Sequence, residues 1–308
     1  ALLVDAESIL RNLMIGIHDI RRKYGEPMMI GYLPDTFGFN AQMPTILQHA
    51  GIDSYIGWRG INFETQVKAP YFQWKGLGDK VVFAANMPHG YSAGVMPVEV
   101  LDRLSDFVRL KLDPETRFAH EVAGNEHVLM PAGVDQKSML LDFDKIVDGY
   151  NETSEFDNVV SDYPSFIKVA REAEDIPGYR GELREPVYAR VHRSIGSVRT
   201  QMKQADFELE QQILRRVEPL MVIAQKAGVR ISTGLLTHLW KKLLENQAHD
   251  SMGGCVSDNV AEDIFHRIKE AREVADGIEN LVEKRIADNL GLGQYDVLVF
   301  NTDPVPFH

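Results

Sequence analysis

The hydrophobic periodicity of the chain changes once, near residue 160, and this change limits the fold more than any other feature. Before it, short apolar runs alternate with helical patterns. Strands that alternate with helices are typical of an α/β domain with a largely parallel sheet. From Asp162 onward, apolar residues recur every three or four positions, as on buried helix faces. The sequence therefore predicts an α/β domain followed by a three-helix bundle.

The first half supplies the elements of the α/β domain. In chain order these are a helix over 7–24, a strand over 28–33, a helix over 44–50, strands over 55–58, 71–74 and 81–85, a helix opened by Pro97 and a strand over 127–130. Gly51 is the expected stop of the second helix.

The second half predicts three long amphipathic helices. Asp162 with Pro164 predicts a helix start, and Gly178, Gly181 and Pro186 predict a loop before the bundle. The three apolar stripes are Ile213, Val217, Leu220, Met221 and Ala224; Leu236, Leu239, Trp240, Leu243 and Leu244; and Ile264, Ile268, Ala271, Ala275, Ile278 and Val282. Gly228 is the predicted end of the first of these helices.

Composition excludes several classes of function. The formal net charge of -12 argues against nucleic acid as a partner, since phosphate binding needs clustered lysine and arginine. No apolar stretch is long enough to cross a membrane. A single cysteine, Cys255, excludes an internal disulfide framework and favours a reducing, cytoplasmic location.

Two residues that could bind a metal stand out by position. Asp35 follows the apolar run over 28–33, so we expect it just past the carboxyl end of a strand, where α/β folds place their chemistry. A turn-forming Asp is the ordinary alternative. His249 ends a helical stretch and falls opposite the stripe of Leu236, Trp240 and Leu243. Its alternative is a solvent-facing histidine near a helix end.

Three segments carry a family resemblance. They are Gly-Tyr-Leu-Pro-Asp-Thr-Phe-Gly over 31–38, Val-Leu-Met-Pro-Ala-Gly-Val-Asp over 128–135 and Asn-Gln-Ala-His-Asp-Ser over 246–251. They resemble signature stretches of the family 38 glycoside hydrolases, the retaining α-mannosidases. The stretches over 180–184 and 198–204 resemble the middle helical region of that family. The resemblance implies that the α/β domain is part of an α/β barrel.

The resemblance also implies roles for the residues in these segments. Asp35 would be both nucleophile and zinc ligand, His249 a second ligand, and Asp135 the acid/base. Retaining hydrolysis needs such a pair of carboxylates, one beside the anomeric carbon and one to protonate the leaving oxygen. Asp250 would hold the ligand imidazole in place. Carboxylate and imidazole ligands fit Zn²⁺, and other divalent ions stay open.

Four further side chains are candidates for sugar binding. Phe37 lies in the first motif, and Trp58, Arg59 and Tyr91 follow strand-like runs. Aromatic faces suit the apolar face of a sugar, and a guanidinium suits hydroxyl groups. Core packing is the alternative for Phe37 and Trp58.

One departure from the family pattern stands out. The family carries a His-x-Asp pair near its amino terminus that supplies two more zinc ligands, whereas His18-Asp19 has the wrong spacing. We therefore expect a central piece of a longer enzyme: a partial catalytic domain over 1–160, a helical middle domain over 161–291 and the start of a β domain over 292–308. Such a piece would be catalytically incomplete and would bind its metal weakly.

The leading hypothesis is a fragment of a metal-dependent α-mannosidase that acts on mannose-containing oligosaccharides or glycosides. An α-mannosyl-glycerate hydrolase of the same family is the nearest alternative. A non-catalytic binding or assembly module is a competitor from another class, favoured by the acidic composition and the long helices. A second copy of the chain, in a homo-oligomer, is a further candidate partner.

Overall fold

The structure is a computed structural model that describes residues 2–95, 103–138, 140–303 and 305–306. The chain divides into two compact units. The first contains residues 13–192 together with residue 2, and the second contains residues 3–12 and the chain from Arg193 onward. The division therefore falls later than the boundary at residue 160 that the sequence predicts.

The first unit contains a five-stranded mixed sheet. Its strands are β1 (Gly31–Tyr32), β2 (Ser54–Gly57), β3 (Tyr71–Lys75), β4 (Val81–Asn86) and β5 (Gly178–Arg180), arranged in the order β1-β2-β4-β3-β5. Three neighbouring pairs are parallel, and β3 with β4 is antiparallel. The five residues between β3 and β4 form a hairpin loop, closed by Gly76 N donating to Lys80 O. Short loops of this length force antiparallel pairing.

Each face of the sheet is covered by its own apolar layer. On one face Phe39, Tyr55 and Trp74 meet edge to face, with ring centroids 5.3 to 5.9 Å apart. On the other face Ile56, Phe83 and Met87 pack with residues of helix α6, which spans Tyr163–Ala170. Burial on both faces explains why the strands read as apolar runs rather than as alternating patterns.

The first unit also contains helical segments. Those with residues in the first unit are α1 (Ala6–Tyr24), α2 (Met43–His49), α3 (Leu104–Phe107), α4 (Asp113–Ala123), α5 (Phe143–Asn151) and α6. A π-helical turn over Val108–Leu112 joins α3 to α4. The predicted start at Pro97, with Val100 and Leu101 of its stripe, lies outside the described residues. Asp162 caps α6 as predicted, its carboxylate accepting from Ser165 N at 2.8 Å.

Two predictions for the first unit are wrong in part. The segment over 127–130 is extended but joins no strand. The loop predicted around Gly178 and Gly181 contains β5. Beyond it, Leu183 pairs with Phe39 and Glu185 with Gly60 in isolated bridges. Together with the packing of α6, these long-range contacts keep the chain up to His192 in the first unit.

The second unit is built from long helices. These are α7 (Thr200–Gln212), α8 (Glu218–Lys226), α9 (Gly234–Asn246), α10 (His249–Gly253) and α11 (Asp258–Leu290), with a π-helical turn over Ile213–Val217 between α7 and α8. Helix α11 packs against α7, α8 and α9, and α7 packs against α9. All six residues of the predicted third stripe are buried on α11. Ser257 caps α11 by accepting from Val260 N, and Gly291 ends it at a φ of +65°.

The end of the described chain carries no strand. Residues 297–300 are irregular, and Val297 and Val299 are exposed. In the described parts, no helix combines the length and apolar character needed to cross a bilayer.

Two carboxylates are buried together in the second unit. Asp206 and Glu210 lie one turn apart on α7, and each is 2% exposed. Gln247 Nε2 donates to both, at 3.1 and 3.3 Å, and Ser8 Oγ and Asp5 N donate to Glu210. Burial, reinforced by the charge of Glu210, raises the pKa of Asp206 to about 7.

A glycine contact gives the first prediction. Gly60 has a φ of +92° and its carbonyl accepts from Glu185 N, while a Cβ there would press on the Leu183 carbonyl. Gly60→Ala should therefore lower the free energy of unfolding by about 3 kcal/mol in chemical denaturation. Gly78→Ala is the matched control, because Gly78 also has positive φ but faces open space. Equal losses in the two variants would contradict the steric argument.

The buried carboxylates give a second prediction. Because folding raises the pKa of Asp206 from 3.8 to about 7, its cost to stability is absent well below pH 4, where the carboxyl is protonated in both states, and grows as the pH rises toward 8. The free energy of unfolding of the helical unit should fall across this range by on the order of 4 kcal/mol. Asp206→Asn should reduce this pH dependence of the free energy of unfolding, whereas Glu262→Gln, a substitution at an exposed position of α11, should leave it unchanged. A profile that Asp206→Asn does not alter would refute the assignment.

Candidate functional site

Candidate residues collect at the carboxyl ends of three neighbouring parallel strands. Asp35 lies three residues beyond β1, Trp58 and Arg59 directly follow β2, and Tyr91 lies shortly after β4. Carboxyl ends of parallel strands meet at one edge of a sheet, which is where α/β folds gather polar side chains. Backbone pairing continues beyond the strands, since Leu33 N donates to Ile56 O and Met87 N to Gly57 O.

An ion pair with two N–H donors joins Asp35 to Arg59. The Nε and Nη2 atoms of Arg59 both donate to Oδ1 of Asp35, at 3.1 and 2.6 Å. The two side chains are only 18% and 11% exposed, respectively. Arg59 Nη1 also donates to the Arg190 carbonyl at 2.7 Å. Because both contacts fall on Oδ1, the guanidinium orients the carboxylate through one oxygen and does not engage Oδ2.

The guanidinium of Arg59 also stacks on aromatic rings. Its Cζ atom lies 4.4 Å from the ring centre of Trp58 and 5.3 Å from that of Phe37. Phe37 in turn contacts the ring of His192 at 4.8 Å. Trp58 Nε1 is buried and has no hydrogen-bond partner among the described residues. The arrangement leaves an indole donor beside a fixed charge pair, a combination that suits a hydroxyl-rich ligand.

Tyr91 connects the aromatic group to Asp135. Trp58 and Tyr91 meet edge to face at 5.7 Å, and Tyr91 Oη donates to Asp135 Oδ2 at 2.9 Å. The segment that carries Asp135 is held without a sheet ladder: Leu129 N donates to Tyr71 Oη, Gly94 N to Pro131 O and Gly133 N to Tyr91 O. Asp135 therefore follows an extended segment rather than the strand that the sequence predicts.

The tyrosines near the two carboxylates resist ionisation. Burial raises the pKa of Tyr91 to about 12, and the hydrogen bond to Asp135 and the charge of Asp35 act in the same direction. Burial, a hydrogen bond to Tyr163 and the charge of Asp35 also raise the pKa of Tyr32. Both phenols thus stay protonated at neutral pH, so Tyr91 remains a donor to Asp135.

A cavity of about 1190 Å³ opens beside Asp135. Tyr32, Tyr91 and Asp135 line it at one side, and it extends past Leu129 and Phe156 to Thr116. All of its lining residues belong to the first unit. We refer to it as the Asp135 cavity. Its volume is slightly above the usual range for small-molecule sites, about 300 to 1000 Å³.

His249 and Asp250 belong to the second unit. The predicted helical position of His249 is wrong, because α9 ends at Asn246 and Ala248 is extended, so His249 begins α10 instead. His249 Nε2 lies 3.5 Å from Asp250 Oδ2. Two hydrogen-bonded residues fix the turn before His249. Gln247 donates to the buried carboxylates of Asp206 and Glu210, and Asn246 Oδ1 accepts from Arg267 at 2.7 Å.

The donor types expected for a zinc site are present, but not a complete ligand set. Asp35 offers a carboxylate and His249 an imidazole, which are ordinary ligands of Zn²⁺. Within the described chain, however, no three His, Cys, Asp or Glu side chains gather in a way that could hold a metal ion. The described residues therefore do not fit a closed metal centre by themselves.

The structure gathers six of the predicted site residues into one contact network within the first unit: Asp35, Phe37, Trp58, Arg59, Tyr91 and Asp135. It also adds residues that sequence reasoning missed. Tyr32 lies beside Asp35 and stacks on Tyr163 at 5.1 Å. Asn86 ends β4 with both amide atoms buried and unpaired in the described part of the chain. Sequence reasoning could have found Asn86, because a polar residue that ends an apolar run indicates the end of a strand.

Both parts of the chain are similar to known protein families. The model of the glycosyl hydrolases family 38 N-terminal domain matches residues 1–182, and that of the alpha mannosidase middle domain matches residues 190–288. An alpha-mannosidase from Enterococcus faecalis has a similar structure, with a TM-score of 0.83 and 25% identity over 93% of this chain and 33% of that one.

Curated relatives agree with the family models. A putative mannosylglycerate hydrolase of Halalkalibacterium halodurans is 26% identical over 87% of this chain, and alpha-mannosidase 2C1 of Mus musculus is 27% identical over 88%. The chain spans only 31% and 25% of these two proteins. On the strength of the family model that matches residues 1–182, the chain belongs to glycosyl hydrolase family 38.

Proposed function

We propose that this chain is the part of a retaining α-mannosidase that carries its nucleophile and its acid/base. The single observation that carries the proposal is the contact network that links Asp35 to Asp135 through Arg59, Trp58 and Tyr91. The substrates of this enzyme would be mannose-containing oligosaccharides or glycosides. The names of the relatives support this choice of sugar.

The proposed reaction has two steps. In the first, Asp35 attacks the anomeric carbon, the glycosidic C–O bond breaks, and Asp135 gives its proton to the leaving oxygen. In the second, Asp135 takes a proton from water, which attacks the same carbon and releases Asp35. Arg59 orients the nucleophile through Oδ1, which leaves Oδ2 for the attack. The hydrogen bond from Tyr91 fixes the direction of Asp135.

The aromatic groups supply the sugar platform. Phe37 and Trp58 present ring faces around the guanidinium of Arg59, and Trp58 Nε1 has no hydrogen-bond partner within the described residues. A mannose ring could stack on one aromatic face while a hydroxyl group accepts from the indole. Asn86, buried at the end of β4, is a further candidate to bind a hydroxyl group.

A divalent metal, with Zn²⁺ as the first choice, is the cofactor that we propose. Asp35 and His249 would be two of its ligands, and Asp250 would hold the imidazole. A bound zinc ion would contribute Lewis acidity at sugar hydroxyl groups. Stable binding needs ligands in addition to these two, so the chain by itself would be inactive.

We also propose a finer architecture and location. The first unit would be part of an α/β barrel and the second a three-helix bundle. The single cysteine, Cys255, is free and exposed, which is consistent with a cytoplasmic location. An α-mannosyl-glycerate hydrolase is the second candidate function, favoured by the name of the relative from Halalkalibacterium halodurans.

Covalent trapping would test the proposed function. A polypeptide of full family length that contains this chain would be treated with a fluorinated mannosyl fluoride, which slows the second step, and the labelled peptide identified by mass spectrometry. The label should fall on Asp35, and NMR should show that the first product is the α-anomer of mannose. A label elsewhere, or inversion, would contradict the mechanism.

The ion pair gives a third prediction. Arg59→Lys keeps the positive charge but loses the two-pronged contact that orients Asp35, so kcat of the full-length enzyme should fall by about 100-fold. Arg171→Lys is the matched control, because Arg171 makes a similar two-pronged contact with Asp53, at the amino end of β2. Its variant should keep the parental kcat. Similar losses in both variants would indicate general damage to the fold.

Metal affinity gives a fourth prediction. With two proposed ligands, the chain should bind Zn²⁺ with a Kd weaker than about 10 µM, far from the affinity of a site with four protein ligands. Isothermal titration should show weaker binding still for Asp35→Asn and for His249→Ala, but not for the control His238→Ala. Zinc retained at one equivalent after gel filtration would overturn this expectation.

A further inference from the structure

The Asp135 cavity lies where the leaving group of a glycoside would be held. The general acid protonates the leaving oxygen, so the group attached to that oxygen, the aglycone, must lie on the Asp135 side of the sugar. Asp135 lines the cavity, and the Tyr91 that binds it lines the same wall. This location rests on the proposed function. The chemistry of the remaining walls then indicates which aglycone fits.

Apolar residues are concentrated in this cavity and at its rim. Val159 and Val160 are 79% and 59% exposed, and Met28 is about half exposed. Deeper in the cavity, Phe156 and Phe166 contribute aromatic surface. Large exposed apolar side chains that cluster beside a concave surface are typical of binding sites rather than of ordinary protein surface.

The charges of the cavity have one sign. Glu126, Asp135, Asp157 and Asp162 line it, and in the described part of the chain no lysine or arginine does. Among the described lining residues, the basic side chains are His120 and His127, and His120 Nδ1 already contacts the Asn125 carbonyl at 2.8 Å. The guanidinium nearest to the reacting centre, Arg59, is committed to Asp35. A carboxylate that entered the cavity would meet like charges without a compensating partner.

We propose that the Asp135 cavity binds the aglycone of the substrate and selects an apolar aglycone that is uncharged or positively charged. Carboxylate-bearing aglycones such as glycerate are disfavoured. The chain therefore belongs with enzymes that act on neutral α-mannosides, and the mannosyl-glycerate alternative is the weaker one.

Matched ligands test the charge selectivity on the chain as it is. Methyl α-mannoside would be compared with three phenylpropyl α-mannosides whose rings carry a tert-butyl, a trimethylammonium or a carboxylate group. The tert-butyl and trimethylammonium ligands should bind at least tenfold more tightly than methyl α-mannoside. The carboxylate ligand should bind at least tenfold more weakly than the tert-butyl ligand. NMR signals from the methyl groups of Val134, Val159 and Val160 should report contact with the ring substituents.

Paired variants assign the effect to the cavity. Glu126→Gln combined with Asp157→Asn should narrow the difference between the cationic and anionic ligands, whereas Asp148→Asn, an exposed change on α5, should not. Val159→Thr combined with Val160→Thr should remove most of the gain in affinity that the tert-butyl group gives over methyl α-mannoside. Val187→Thr, an exposed valine outside the cavity, is the control for that change.

The outcomes separate this inference from the proposed function. If methyl α-mannoside does not perturb the Trp58 indole signal, the sugar site itself is refuted. If it does, but the carboxylate ligand binds as tightly as the tert-butyl ligand, the aglycone inference is overturned and the sugar site stands. Burial of Val159 and Val160 by a second copy of the chain, seen as concentration-dependent dimerisation, would also overturn it.

Discussion

The ion pair between Arg59 and Asp35 is the interaction on which the candidate site depends. Both side chains are largely withdrawn from water, and the cost of that desolvation is offset by a two-pronged contact of good geometry. Removing either partner would leave a buried charge, at a cost of about 3 to 5 kcal/mol. Trp58 and Phe37 border the same guanidinium, and the Arg190 carbonyl accepts a hydrogen bond from it. One side chain thus ties the ends of β1 and β2 to the segment after β5.

Much of the fold and of the candidate site is readable from the sequence, for a simple reason. An apolar run followed by a polar or aromatic residue locates a strand end, and this placed Asp35, Trp58 and Arg59 at one edge of the sheet. Local patterns also gave the buried stripe of α11 and the cap of α6 at Asp162. These features depend on residues close in sequence, so periodicity and capping rules reach them.

The features that sequence reasoning missed depend on distant partners or on weak local signals. Asp135 is held by Tyr91, and its segment by Tyr71 and Gly94, which leave no periodic trace. The break before His249 contains neither glycine nor proline, so the sequence gives no sign that the helix ends there. The buried carboxylate of Asp206 is hidden from sequence reasoning because acidic residues on helices are ordinarily exposed.

Strand β5 has a consequence for how the chain acquires its structure. It pairs in parallel with β3, yet α3, α4, α5 and α6 all lie between them in sequence. The outer edge of β3 therefore stays unpaired during synthesis until β5, which follows much later in the chain, has been made. Such distant pairing slows folding and leaves backbone groups open to wrong partners in the meantime. Nascent chains of this domain should consequently depend on chaperones until Arg180 has left the ribosome.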